Sequence, residues 1–233
     1  MTSSSEMANP VEYPTAQILI LGDPKTGRTS LVEEFTRNLK TEVESHLDFP
    51  RIPITSCQVK VDGKKLNLSI WDVNLTGLHH RTFPYQYADI IILVYSIDHP
   101  DSLKHVTQIW APELKRWVPD TPILLVANKI DLREDPATIY VLDLKRQSPI
   151  TFEEGKQVAK EIGASGFAEC TEKNGDDVDD VFHAASKIAL KDMQKKLIKD
   201  FEHRAMEKER KRVLEESKKV ESKKKKKKNC SIS

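Results

Sequence analysis

The chain has 233 residues, 38% hydrophobic and 31% charged, and its 37 Lys and Arg against 36 Asp and Glu leave a formal charge of +1. That length suits one well-filled core of roughly 100–200 residues plus a tail, and argues against a second folded domain. The longest apolar run, Ile90 to Tyr95, is far short of the ~20 residues that span a bilayer, Met1 to Pro14 holds no signal-peptide stretch, and Cys57, Cys170 and Cys230 lack disulfide or zinc spacing, so a chain made and kept in the cytosol is expected.

Residues 1–15 are rich in Ser, Thr and Pro and read as a flexible leader. From residue 16 short apolar runs alternate with segments of helical period, which predicts an α/β fold on a mostly parallel, six-stranded sheet with helices on both faces. Ile18 to Leu21 is the first strand, and Thr29 to Leu39 is a helix with Leu31, Val32, Phe35 and Leu39 on one side. Val59, Val61, Leu66, Leu68 and Ile70 alternate around Asp62-Gly63, a hairpin signal and the one antiparallel element expected. Ile90 to Tyr95 and Ile123 to Val126 are unbroken aliphatic runs of the central-strand kind. Asp101 to Val118 reads as a helix between them, and Glu134 to Arg146 as another. Thr151 and Glu154 form a capping box that opens the next helix. Gly166 to Cys170 is a last strand. From Asp177 a helix begins with Val178, Val181, Phe182, Ala185, Ile188 and Ala189 as its core stripe. The folded part is expected to end near residue 190, with 191–222 a charged, solvated helical extension and 223–233 a polybasic tail.

Two stretches carry chemistry. Gly22-Asp23-Pro24-Lys25-Thr26-Gly27-Arg28-Thr29 matches G-x-x-x-x-G-K-[ST] except that Arg replaces Lys. It stands between a strand and a helix, where backbone N–H groups and the helix N-terminus gather around phosphate and a Thr hydroxyl can meet Mg²⁺. The phosphate-binding candidates are Gly22, Lys25, Thr26, Gly27, Arg28, Thr29 and Ser30. Pro24 removes one donor, and losing one charge-assisted hydrogen bond costs roughly 1.5–3 kcal/mol, one to two decades of affinity. Asn128, Lys129 and Asp131 follow a buried strand at the end where open α/β sheets take ligands. A carboxylate there can accept two N–H bonds from guanine. Thr171, Glu172 and Lys173 follow the last strand at the same end.

These residues resemble the small GTPases of the Ras superfamily, and within it the Rho family, over roughly residues 16–190. Asn128-Lys129-x-Asp131 is similar to the family's guanine motif, and Thr171-Glu172-Lys173 to its Ser-Ala-Lys loop with two substitutions. Val61-Asp62-Gly63-Lys64, Trp71-Asp72, Ser96 to Leu103, Trp110 and Asp131-Leu132-Arg133 are similar to Rho proteins specifically, and Glu134 to Pro149 falls where they carry an inserted helix. The resemblance implies a P-loop GTPase fold, GTP or GDP with Mg²⁺ as cofactors, Thr29 and Asp72 at the metal, and effector and regulatory proteins of Rho-type GTPases as partners.

The departures weigh on turnover. Pro50 occupies the place of the first-switch Thr, with Thr55 the nearest hydroxyl downstream. Leu75 stands at the family's γ-phosphate Gly and Thr76 at its water-orienting Gln, and Thr76 is too short for that task. Pro24 obstructs the space for a helper protein's arginine finger. No catalytic group is intact, so impaired hydrolysis is expected, as in atypical, Rnd-like Rho proteins. The alternative is a pseudo-GTPase scaffold that binds no nucleotide.

The near-zero net charge conceals a division. From Lys187 onward 18 Lys and Arg face 8 acids, whereas 19 face 28 in the rest. Lys223, Lys224, Lys225, Lys226, Lys227 and Lys228 precede Cys230-Ser231-Ile232-Ser233, a C-a-a-X ending that reads as prenylated at Cys230. One lipid with a Lys cluster gives the two signals that stable anchoring needs. The expected location is the anionic cytoplasmic face of the plasma membrane or an endomembrane, with a cytosolic pool, as a monomer. No aromatic residues interleave the lysines, so nucleic acid is not an expected partner. The histidines, including His79 and His80, read as surface or partner-facing residues, and Trp110 and Trp117 as packing.

Overall fold

A computed structural model describes residues 13–46, 49–73 and 83–229. The chain divides into two compact units, residues 1–190 and 191–233. In the first, a seven-stranded sheet is built from β1 (Thr15–Gly22), β2 (Thr41–His46), β3 (Phe49–Val61), β4 (Lys64–Asp72), β5 (Ile90–Ser96), β6 (Ile123–Asn128) and β7 (Gly166–Glu169). Their order is β2-β3-β4-β1-β5-β6-β7. The pairs from β4 through β1, β5 and β6 to β7 are parallel, and β2–β3 and β3–β4 are antiparallel. The α/β, mostly parallel architecture is as read from the sequence.

The count of six strands is corrected to seven. Thr41–His46 pairs with β3 from Thr41↔Cys57 to Ser45↔Pro53 and forms an extra antiparallel edge. Pro50 and Pro53 sit in β3 ahead of Ile54, where its pairing with β4 begins, so their missing N–H groups interrupt no ladder on that side. The β3–β4 turn has φ of +49° at Asp62 and +79° at Gly63, the pair of positive values that a two-residue hairpin turn requires.

The helices are α1 (Arg28–Thr36), α2 (Pro100–His105), α3 (Ala111–Trp117), α4 (Pro136–Asp143), α5 (Phe152–Glu161) and α6 (Gly175–Asn229). The single helix expected over 101–118 is interrupted by a π-helical turn, Val106–Trp110, between α2 and α3. Such bulges gather at functional sites. Alternating side chains of β1 divide the core. Leu19 and Leu21 pack with Leu93, Tyr95, Leu103, Val106, Trp110, Leu114 and Ala159 beneath α2, α3 and α5. On the other face Phe35 of α1 stacks on Phe182 of α6 with ring centroids 4.0 Å apart. Helices thus cover both faces. The Thr151–Glu154 capping box is formed in both directions, and α4 lies in the segment expected to carry an inserted helix, capped by Asp135.

The described residues of the second unit continue α6, with i,i+4 ion pairs Lys196–Asp192 and Lys211–Glu207 along it. Lys223 to Lys228 lie within that helix; Leu75, Thr76 and Cys230, with His79 and His80, lie outside the described residues. Among the described residues no helix is long and apolar enough to cross a membrane.

Candidate functional site

The parallel strands deliver their C-terminal ends to one place. β1 ends at Gly22, which opens the loop Asp23–Gly27 leading into α1. Gly22 has φ +145°, and a Cβ there would lie 2.1 Å from the Val94 carbonyl oxygen of β5, so only glycine fits so close an approach. Lys25 and Gly27 also have positive φ, +69° and +87°. The loop is closed by Thr26, whose hydroxyl donates to the Asp23 carbonyl at 2.8 Å. Ser30, in the first turn of α1, is half-buried.

β6 ends at Asn128, which is fully buried. Its Nδ2 donates to the Thr26 carbonyl at 2.9 Å, and its Oδ1 accepts from the N–H of Lys129 at 2.8 Å. Lys129 takes the left-handed conformation, φ +63°, and its Nζ donates to the Lys25 carbonyl at 2.9 Å. The last residue of β6 and the one after it therefore clamp the phosphate-type loop by its backbone. Asp131 accepts from the Thr171 hydroxyl at 2.7 Å and from Lys173 Nζ at 2.5 Å. Desolvation pushes the Asp131 carboxyl upward, but the bonds from Lys173 and Thr171 prevail and hold it below the usual carboxylate range. A carboxylate kept ionised at neutral pH can accept a pair of N–H donors. Arg133 fixes the loop beyond it, with bonds to both oxygens of Glu169 at the end of β7 and to the Ile150 carbonyl.

At the other side of the loop, Thr29 donates to Asp72 Oδ2 at 2.5 Å, and Asp72 Oδ1 is buried with no partner. A hydroxyl beside an unpartnered buried carboxylate oxygen is a hard-oxygen set that fits Mg²⁺ or its bound water. Arg28 is 8% exposed, and Nη1 donates to the Val73 carbonyl at 2.6 Å. Burial lowers its pKa, against the charges of Asp72 and Asp23.

Two features escape a reading of the sequence. Asp23 accepts from Trp110 Nε1 at 2.9 Å and lies 2.5 Å from His105 Nδ1, so the π turn packs on the loop through polar contacts. Trp110 is thus more than packing, and His105 is not a plain surface residue; partners 82 and 87 positions away leave no local signal. Trp117 is 54% exposed. The second is Glu172. Its Oε2 is buried without a partner and lies 3.1 Å from where a Gly27 Cβ would stand, beside Asn128. The two described thiols are held in the neutral form: burial pushes Cys57 up to about 11 and Cys170, whose Sγ lies 3.7 Å from Asn128 Oδ1, to about 12. Among the described residues no His, Cys, Asp and Glu cluster could hold a metal by itself.

Comparison with known proteins agrees with this geometry. The Ras family model matches residues 17–191. The GTP-binding protein RHO1 of Candida albicans is 37% identical over 182 residues, which cover 77% of this chain and 90% of that protein.

Proposed function

Because the chain belongs to the Ras family of small GTPases and is Rho-like in sequence, we propose that it binds GTP and GDP and serves as a membrane-anchored recruiter of effector proteins, with hydrolysis impaired. The observation that carries nucleotide binding is the clamp of Asn128 and Lys129 on the loop beside an ionised Asp131. In this reading Asp131 accepts N–H groups of guanine, Thr171 and Lys173 orient and neutralise it, and Gly22, Lys25, Thr26, Gly27, Arg28, Thr29 and Ser30 surround the phosphates. Thr29 and Asp72 would hold Mg²⁺, which supplies charge neutralisation between phosphate oxygens when bound. Lys173 must release one Asp131 oxygen on binding. Its side chain is 70% exposed, so that movement is inexpensive.

Leu75 and Thr76 at the positions of the family Gly and Gln support poor hydrolysis, because a short hydroxyl cannot orient an attacking water across that gap. Cys230 and Lys223–Lys228 support lipid anchoring at an anionic cytoplasmic leaflet. Action on the actin cytoskeleton or membrane traffic follows from Rho likeness alone. A second reading, a scaffold that binds no nucleotide, is favoured by Glu172 turned against Gly27 and by Arg28 bonded to Val73. Chromatography of nucleotide released from the purified protein separates the two: bound guanine nucleotide is expected, and a site that stays empty in millimolar GTP and Mg²⁺ refutes the first reading.

A further inference from the structure

The π turn between α2 and α3 changes what those helices can present to the phosphate-type loop. The Ala111 N–H bonds the Val106 carbonyl five residues back, where a regular helix closes at four. At 3.6 residues per turn, His105 and Trp110 would point about 140° apart. The widened turn lets both meet one carboxylate. Trp110 Nε1, which can only donate, reaches Asp23 Oδ1 at 2.9 Å, and His105 Nδ1 lies 2.5 Å from Oδ2. Trp110 is 7% exposed and Asp23 8%. Asp23 is the second residue of the loop, and its carbonyl accepts from the Thr26 hydroxyl, so its side chain and its backbone are both fixed. An acidic side chain is a liability in a loop whose N–H groups gather around an anion, because when free it competes for those donors or repels the phosphate. Here each of its oxygens is taken up by a group from the neighbouring helices.

We propose that His105 and Trp110 are positioning residues for the phosphate-type loop: brought together by the π turn, they hold the Asp23 carboxylate away from the phosphates of a bound guanine nucleotide. The hold on Asp23 stands on the protein alone, whereas its effect on nucleotide rests on the nucleotide-binding reading above. Two measurements on the full chain test the parts separately. The first is titration with fluorescent GDP in millimolar MgCl₂. His105→Leu and Trp110→Phe are each expected to weaken affinity by about tenfold. In an Asp23→Asn background, where no negative charge is released, adding either one should change affinity by less than about threefold. A side chain needed only for packing would show the same loss in both backgrounds. Affinity within about threefold of the wild type in either single variant, or a loss beyond about threefold beside Asp23→Asn, overturns the positioning role.

The second is thermal unfolding without nucleotide, as a double-mutant cycle of Trp110→Phe with Asp23→Ala. The double variant's fall in Tm is expected to be smaller than the sum of the two single falls by roughly 2–4 °C, and a difference under about 2 °C overturns the hold on Asp23. His105→Leu replaces Trp110→Phe in the cycle if that variant does not fold. No GDP binding by the wild type fails the proposed function and the positioning role with it, and the unfolding cycle then decides the hold.

Discussion

Glu172→Ala is expected to tighten guanine-nucleotide binding by about tenfold. The carboxylate oxygen Oε2 is buried, unpartnered, and rests against Gly27 in the loop that would curve around the phosphates. A bound nucleotide leaves it two courses. If it stays, two negative charges at about 5 Å repel by about 3 kcal/mol at an effective dielectric of 20. If it rotates into solvent, it regains hydration, which offsets much of the rotation, since an unsatisfied buried group costs about 1–3 kcal/mol. The residue is only half-buried, so rotation is open to it and roughly half of the 3 kcal/mol repulsion is expected to remain. About 1.4 kcal/mol is tenfold in affinity. Polarisation of fluorescent GDP measures the change, and a slower off-rate should account for most of it. Glu172→Gln separates charge from bulk: it should recover most of the gain if repulsion dominates and little if the side chain acts as a plug. Affinity unchanged within about twofold, or weakened, for Glu172→Ala would refute the placement of that carboxylate against the ligand.

Four further outcomes are expected. Gly27→Ala sets a Cβ 2.3 Å from Asn128 Nδ2 at a φ of +87°, so nucleotide affinity should fall by more than about tenfold while far-ultraviolet circular dichroism stays native. Gly155→Ala drives a methyl to 2.0 Å from the Tyr95 hydroxyl and 2.8 Å from the Phe167 ring. That overpacking should cost about 1–3 kcal/mol in denaturant unfolding. Thr76→Gln should accelerate single-turnover GTP hydrolysis over the wild type, and an unchanged rate would show that Thr76 is not what limits it. Cys230→Ser should move the protein from membrane to cytosol in cell fractionation; unchanged membrane binding would place the anchor elsewhere.

Features of this chain that a sequence reveals are those set by near neighbours. Ile90–Ser96 and Ile123–Asn128 are aliphatic because both faces are covered, and Asp62-Gly63 announces its turn because positive φ selects residue type. Asn128, Lys129 and Asp131 were legible because their spacing follows a strand end. β2 was not legible: Thr-Glu-Val-Glu-Ser-His has the polarity of a solvent-facing edge, Val43 is 72% exposed, and only pairing with β3 makes it a strand. The π turn was hidden for a similar reason. Its irregularity coincides with the anchoring of His105 and Trp110 on Asp23, a contact across more than eighty residues. The direction of Arg28 could not be read either, because a motif names a residue type and the rotamer belongs to the folded surroundings.

The edge strand also sets a timescale. Residues in an open loop reorganise in nanoseconds to microseconds, but 41–46 is zipped to β3 along its length and can change conformation only by fraying from an end or by peeling away as a unit. Each backbone bond given up costs about 0.5–1.5 kcal/mol net. A ribbon of this kind stores its shape in hydrogen bonds to the sheet rather than in contacts with a ligand, so its amides should exchange with solvent at rates that track the stability of the β2–β3 pair.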